Sequence, residues 1–236
     1  MLIPEIILYN NLLIFQKLVI DDYNSFATNE KDKSILWALF KNDDNGNPLV
    51  LDKYDYYKQS IAILTRNDEN PRHLEIGIGY NMQRLSLPTI HILLPSENKG
   101  RFDSIGLSEG EPATVYDPAK SAFIVTKSRT FSTTYHLMIT SDNSSEVLTI
   151  YYWLRAMMIM FSEHIAIQGM LNMSFSGQDI QMNQDLTPPN IFHRNLSVSF
   201  DFESQIKLSI SQPLVNKYKM GICADFADDV NDYNNS

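Results

Sequence analysis

The chain has 236 residues, 44% hydrophobic and 20% charged, which is enough apolar sequence for a sizeable core and excludes a disordered chain. A formal net charge of -9 argues against holding nucleic acid by phosphate neutralisation, while an acidic wall still lets DNA slide past it. The single cysteine, Cys223, excludes an intrachain disulfide framework, and paired Cys/His ligands at zinc spacing are absent.

The first twenty residues are apolar, but they lack a basic region before the apolar run and a small-residue cleavage site, against a signal peptide. Glu5, Asn10, Asn11, Gln16 and Lys17 interrupt the run, against a membrane span. Ile6, Tyr9, Leu13 and Ile20 fall near one helical face, and Asn10 and Lys17 near another. This predicts an amphipathic helix over Pro4 to Ile20 that packs on the core, with Pro4 in its first turn. Residues 21 to 33 read as loop, and 34 to 41 as a strand or a short helix. Asn42 to Pro48 is a dense turn signal. Tyr54, Tyr56 and Tyr57 precede a short strand expected over Ile61 to Thr65.

Leu74, Ile76, Ile78 and Tyr80 alternate with polar or small residues, as do Ile90, Ile92 and Leu94 with His91 and Leu93, which predicts two strands. Ser96 to Pro118 holds Gly100, Gly106, Gly110 and Pro112 with little periodicity, and reads as a long loop of the kind that is functional or held by a partner. Strands are expected again over Ala122 to Lys127 and Ser132 to Thr140. Asn143 then caps a helix over 144 to 168, with Glu146 completing a capping-box-like start and Gly169 as the stop. Val147, Tyr151, Leu154, Met158, Phe161 and Ile165 form its main apolar stripe, and Ile150, Trp153, Met157 and Met160 a second, so the helix is expected to be covered on more than one side. A strand starts at Leu171. Leu196, Val198, Phe200 and Phe202 alternate with Ser197, Ser199, Asp201 and Glu203, and Ile206, Leu208 and Ile210 keep the parity. The expected fold is α+β: an antiparallel sheet with a long helix packed on one face, an N-terminal amphipathic helix and long inserted loops. It forms a single domain over 1–212, with insertions near 42–70 and 96–130 and an extension over 213–236.

No catalytic constellation emerges, so the chain reads as a non-enzyme without catalytic, cofactor-binding or metal-binding residues. His73, His91, His136, His164 and His193 are scattered without metal-binding spacing. Asp201 and Glu203 share a strand face and read as an acid/base pair or as the wet side of a half-exposed strand, the alternation already explaining the second. Gly77 and Gly79 lack the third glycine and the following helix of a dinucleotide site. Cys223 has no activating neighbour in sequence.

The order of features carries a resemblance. An N-terminal helix precedes a sheet, the strand Thr89 to Pro95 with Ser96 and Glu97 leads into a long extension, and Thr133 to Thr140 leads to the helix ending at Gly169. Pro188-Pro189-Asn190-Ile191-Phe192-His193-Arg194-Asn195 then introduces the last strand. This resembles the tail-terminator and tail-completion (neck ring) proteins of tailed phages, including those of crAss-like phages, over roughly 1–212. The resemblance implies a virion protein assembled in the host cytoplasm, a head-tail connector or neck component linking portal and adaptor to tail. It implies a homo-oligomeric ring on the order of six or twelve subunits. DNA passes through that ring without specific binding, and neither cofactor nor membrane is involved. The chain is longer than the shortest family members, so another neck ring fits as well as a terminator.

Assembly contacts are expected from the loop 96–118 and the tail, at Asn98, Arg101, Phe102, Ile105, Val115, Tyr116, Tyr218 and Phe226, so that deleting 98–116 leaves a folded monomer that no longer assembles. Asp201 and Glu203 are the expected channel-facing acids. Two alternatives stay open: a tail-tube, baseplate or contractile-injection component, and a monomeric protein- or carbohydrate-binding β module using Tyr54, Tyr56 and Tyr57.

Overall fold

The computed structural model describes residues 3–43, 46–51, 53–65, 72–79, 87–99, 113–117, 122–179 and 191–211. Helix α1 (Pro4–Ser25) begins at a proline that suits the first turn, and buries Leu8, Leu12, Phe15 and Val19 at helical spacing. The expected inward stripe is therefore wrong: Ile6 and Leu13 are exposed. The segment has two apolar stripes, and the inward one contains Asn11. Its side-chain NH2 donates to the Ile7 carbonyl (2.8 Å) and to Gln168 Oε1 (2.7 Å), while its Oδ1 is buried without a hydrogen-bond partner among the described residues. A 3-10 turn (Thr28–Lys33) leads to α2 (Ile35–Phe40), which settles the undecided segment as helix. Ser34 caps it by accepting from the Trp37 N–H, and Asp22 accepts from the Ile35 N–H at 2.7 Å.

The turn at 42–48 closes through Asp43, which accepts from the Asn47 backbone and side chain. A two-stranded hairpin, β1 (Val50–Leu51) and β2 (Tyr54–Asp55), runs straight into α3 (Tyr56–Leu64). Here a strand was expected over Ile61 to Thr65. The helix forms because Asp55 caps it, accepting from the Lys58 N–H at 3.1 Å, and because Tyr57, Ser60, Ile63 and Leu64 make one buried face at three- and four-residue spacing.

The main sheet contains β3 (Glu75–Ile78), β4 (Thr89–Lys99), β5 (Ala113–Asp117), β6 (Ala122–Ser141), β7 (Leu171–Asp179) and β8 (Phe192–Ser211). Its order is β3-β4-β6-β8-β7, with β5 on β6. The fold is α+β, but the sheet is mixed rather than antiparallel, because β3 pairs parallel with β4 through Ile76↔Ile90 and Ile78↔Ile92. Alternation carries no direction, so the sequence pattern was compatible with either pairing. Part of the expected loop is strand: β4 runs to Lys99, and β5 pairs antiparallel with β6 through Val115↔Ile124 and Tyr116↔Phe123. The two strands expected over 122–140 are one.

The described residues belong to two compact units. One comprises Ile3–Lys99 and Ser132–Phe202; the other draws on Gly100–Phe131 and Glu203–Ser236, of which β5, the start of β6 and the end of β8 are described. In the first unit one sheet face carries Tyr135, Leu137 and Ile139 of β6 and Leu196, Val198, Phe200 and Phe202 of β8, all buried, with Tyr135 and Phe200 stacked at 5.6 Å. Helix α4 (Ser144–Met160) buries Val147, Ile150, Tyr151, Trp153, Leu154, Met157 and Met158, so both expected stripes are covered except at Met160, which is exposed. Each fully buried side chain of this size contributes about 1.5–3 kcal/mol.

The expected helix over 144–168 is broken at Phe161, which stacks on Phe15 at 5.2 Å, and α5 (Ser162–Ile167) follows. Gly169 ends it with φ +100, the left-handed cap. At the other end Asn143 accepts from the Ser145 N–H, but Glu146 does not close a capping box. Its buried carboxylate turns to Ser141 Oγ (2.5 Å) and Arg72 Nη2 (2.9 Å) instead.

Candidate functional site

A cleft of about 760 Å³ opens in the first unit. One wall is α4, which presents Leu148, Tyr152, Arg155, Ala156 and Ile159 at i, i+4, i+7, i+8 and i+11, a single helical face. The other wall is Leu39 and Phe40 at the end of α2, then Pro48, Leu49 and the β1 residues Val50 and Leu51, with Tyr56 at the start of α3. The hairpin is fastened to α4 by Tyr54, whose hydroxyl lies 3.3 Å from Thr149 Oγ1; burial pushes its phenol up to about 12. Tyr152, Ile159, Val50 and Leu51 remain 52–56% exposed. Arg155 is the one charged side chain in the lining and has no ion-pair partner among the described residues. The lining offers no nucleophile paired with a base. What it can do chemically is bury apolar side chains and pair with an anion.

A second cluster lies on the opposite face of the sheet. His136 Nδ1 is within 2.9 Å of Asn195 Nδ2 and 2.8 Å of Ser197 Oγ, His193 Nδ1 is 2.9 Å from Thr140 Oγ1, and Thr134 and Ser199 join hydroxyls at 2.8 Å. Burial lowers the pKa of both His136 and His193, and the nearby His91 lowers that of His193 further. Among the described residues no group of three or more His, Cys, Asp or Glu is placed to hold a metal.

The residues singled out from sequence scatter. Asn98 is exposed on β4, while Val115 and Tyr116 sit on β5. Arg101, Phe102, Ile105, Tyr218 and Phe226 lie outside the described residues, as does Cys223. Deleting 98–116 would remove most of β5, so it is no longer a clean test of a loop. Asp201 is buried and accepts from Asn172 Nδ2 at 3.0 Å. Glu203 is exposed. The three tyrosines do not form one exposed platform, since Tyr54 bonds to α4 and Tyr57 is buried edge-on to Trp37. The cleft itself was missed, although its signal is in the sequence as a third apolar stripe of α4.

Compared with known proteins, the chain matches no family model and no curated protein. No helix among the described residues is long and apolar enough to cross a membrane.

Proposed function

We propose that this chain is a structural subunit that joins copies of itself into a ring in the neck or tail of a tailed phage, around the channel through which DNA passes. The cleft carries the assembly half of this reading, because Val50, Leu51, Tyr152 and Ile159 lie half exposed and close together there. Large apolar side chains gathered at one place are what a protein partner covers. Completing the burial of these four contributes roughly 3–6 kcal/mol before ordering costs, each being already half covered. The phage half rests on the order of elements: a leading helix, a strand ending in Pro95-Ser96-Glu97, a long helix closed by Gly169, and a long last strand.

Ring closure needs one surface of a subunit to fit a different surface of the next. A net charge of -9 suits a wall that DNA slides past. Portal, adaptor and tail proteins are the expected neighbours, and the role requires neither cofactor nor catalysis. Light scattering and negative-stain imaging of the full chain, alone and with portal, adaptor and tail proteins, test this. Closed rings of fixed subunit number are expected. A monomer at every concentration that also ignores those proteins would overturn it.

A further inference from the structure

The cleft has a shape, a length and a charge that narrow its occupant. Its α4 wall runs from Leu148 to Ile159, eleven residues, or about 17 Å at helical rise. Its surface is apolar except for Arg155. A groove of this kind takes the apolar face of an amphipathic helix that also brings a negative charge.

The chain carries such a segment beyond β8, outside the described residues. Ile222, Phe226, Val230 and Tyr233 recur at i, i+4, i+8 and i+11, which in helical geometry falls within roughly 80° of one face. Asp225, Asp228, Asp229 and Asp232 all fall to one side of that strip, and no Lys or Arg occurs from Cys223 to Ser236. The distance from Ile222 to Tyr233 is again eleven residues. Four anchors, an acidic flank and a matching length answer the apolar wall, Arg155 and the span of α4.

We propose that residues 222–233 of one copy bind as an amphipathic helix in the cleft of a neighbouring copy, with the flanking aspartates paired to Arg155. This rests on the assembly reading above and names the contact that closes it. A tail reaching the next subunit's cleft is a heterologous contact, the type that propagates around a ring. Phe226, expected from sequence as an assembly contact, becomes the central anchor.

The single native cysteine provides the test, because Cys223 adjoins Ile222. Ile159→Cys places a second thiol on the exposed rim of the cleft. The full-length variant is oxidised mildly and run on a non-reducing gel beside the wild type and the Ile159→Cys/Cys223→Ser control. One cysteine per chain cannot link more than two chains, so trimers and longer ladders, present in Ile159→Cys alone, are the expected result. A disulfide-closed monomer of altered mobility, or no product beyond the wild-type pattern, overturns the proposal.

A second arm uses charge. Arg155→Glu is expected to raise the concentration for half-assembly roughly tenfold, and adding Asp225→Arg and Asp229→Arg to restore it. A tenfold loss without restoration overturns the pairing. If wild-type particles form while the ladder is absent, the tail contact fails and the assembly reading stands. If the wild type is monomeric with every partner and the ladder is absent, both fail.

Discussion

Gly177 sits on β7 where the Tyr151 ring of α4 reaches the sheet, and a β-carbon there would lie 2.0 Å from the tyrosine Oη, 2.8 Å from Cζ and 3.1 Å from Cε2. Ordinary contact begins near 3.4 Å, so Gly177→Ala is short of about 1.4 Å of separation. Swinging the ring away would relieve it, but the ring is buried, has the Arg194 guanidinium 4.5 Å from its centroid and meets Tyr152 edge-on at 5.4 Å. Overpacking of this kind costs about 1–3 kcal/mol, offset by about 0.4–1 kcal/mol from the stiffer unfolded chain. A net loss of about 1–2 kcal/mol is expected, or about 2–8 °C in melting temperature for a chain of this size. Tyr151→Phe removes the atom at 2.0 Å and leaves those at 2.8 and 3.1 Å, so the double variant should recover part of the loss. Urea unfolding of wild type, both single variants and the double variant completes the cycle, with a coupling of about 0.5–1 kcal/mol expected. Gly177→Ala as stable as wild type, or losses that simply add, would refute the reasoning.

Arg72→Met should destabilise the unit by about 1–3 kcal/mol in urea titrations, because it takes the guanidinium away from the buried Glu146 carboxylate, which keeps its bond from Ser141 Oγ. The same variant should make the protein less sensitive to strong acid. Arg72 holds the Asp142 carboxyl below its ordinary value, and that contribution is present above the unfolded value and lost as pH falls through the folded one. Asp55→Ala should cost about 1 kcal/mol by removing the cap of α3, with Asp55→Asn close to wild type in the same thermal melts. His136 and His193 have folded pKa values below 6.5, so the unfolded chain takes up protons first on acidification. Stability should therefore fall as pH drops below about 6.5, levelling once the folded rings also protonate, and His136→Gln/His193→Gln should flatten that slope. Denaturation midpoints measured from about pH 7.5 to about pH 5 decide it.

Legibility followed the periodicity. The alternation from Leu196 to Phe202 is a buried face, with every even residue inside, and Asn143 does start α4. Where a segment is apolar on several sides, the pattern does not say which side turns inward. Helix α1 turned its Leu8–Val19 stripe to the core, where the Asn11 NH2 meets Gln168, 157 positions away, and no local rule contains that partner. Helix α3 read as a strand because Ile61 to Leu64 is a short apolar run; the missed signal was Asp55, the cap six residues upstream of Ile61. Strand β5 hid in a stretch rich in glycine and proline, where its five residues have too little context to stand out. The cleft was written in Leu148, Tyr152, Ala156 and Ile159, but as the third stripe of a helix already covered on two sides, and its second wall comes from a hairpin about a hundred residues earlier.

The two faces of the first unit's sheet differ in what a partner would meet. On the face away from α4, Thr134, His136, Thr140, His193, Asn195, Ser197 and Ser199 bond to one another across β6 and β8. A partner covering that face must either leave those bonds intact or match them, since each polar group stripped of partners costs about 1–3 kcal/mol. On the α4 side, the side chains of the cleft have no polar bonds to lose except at Arg155, and covering them is favourable at about 25 cal/mol per Å². Apolar association is therefore cheapest at the cleft. The charge arrangement points the same way, since an acidic chain gains most from contacts in which a lone arginine meets carboxylates of the next copy.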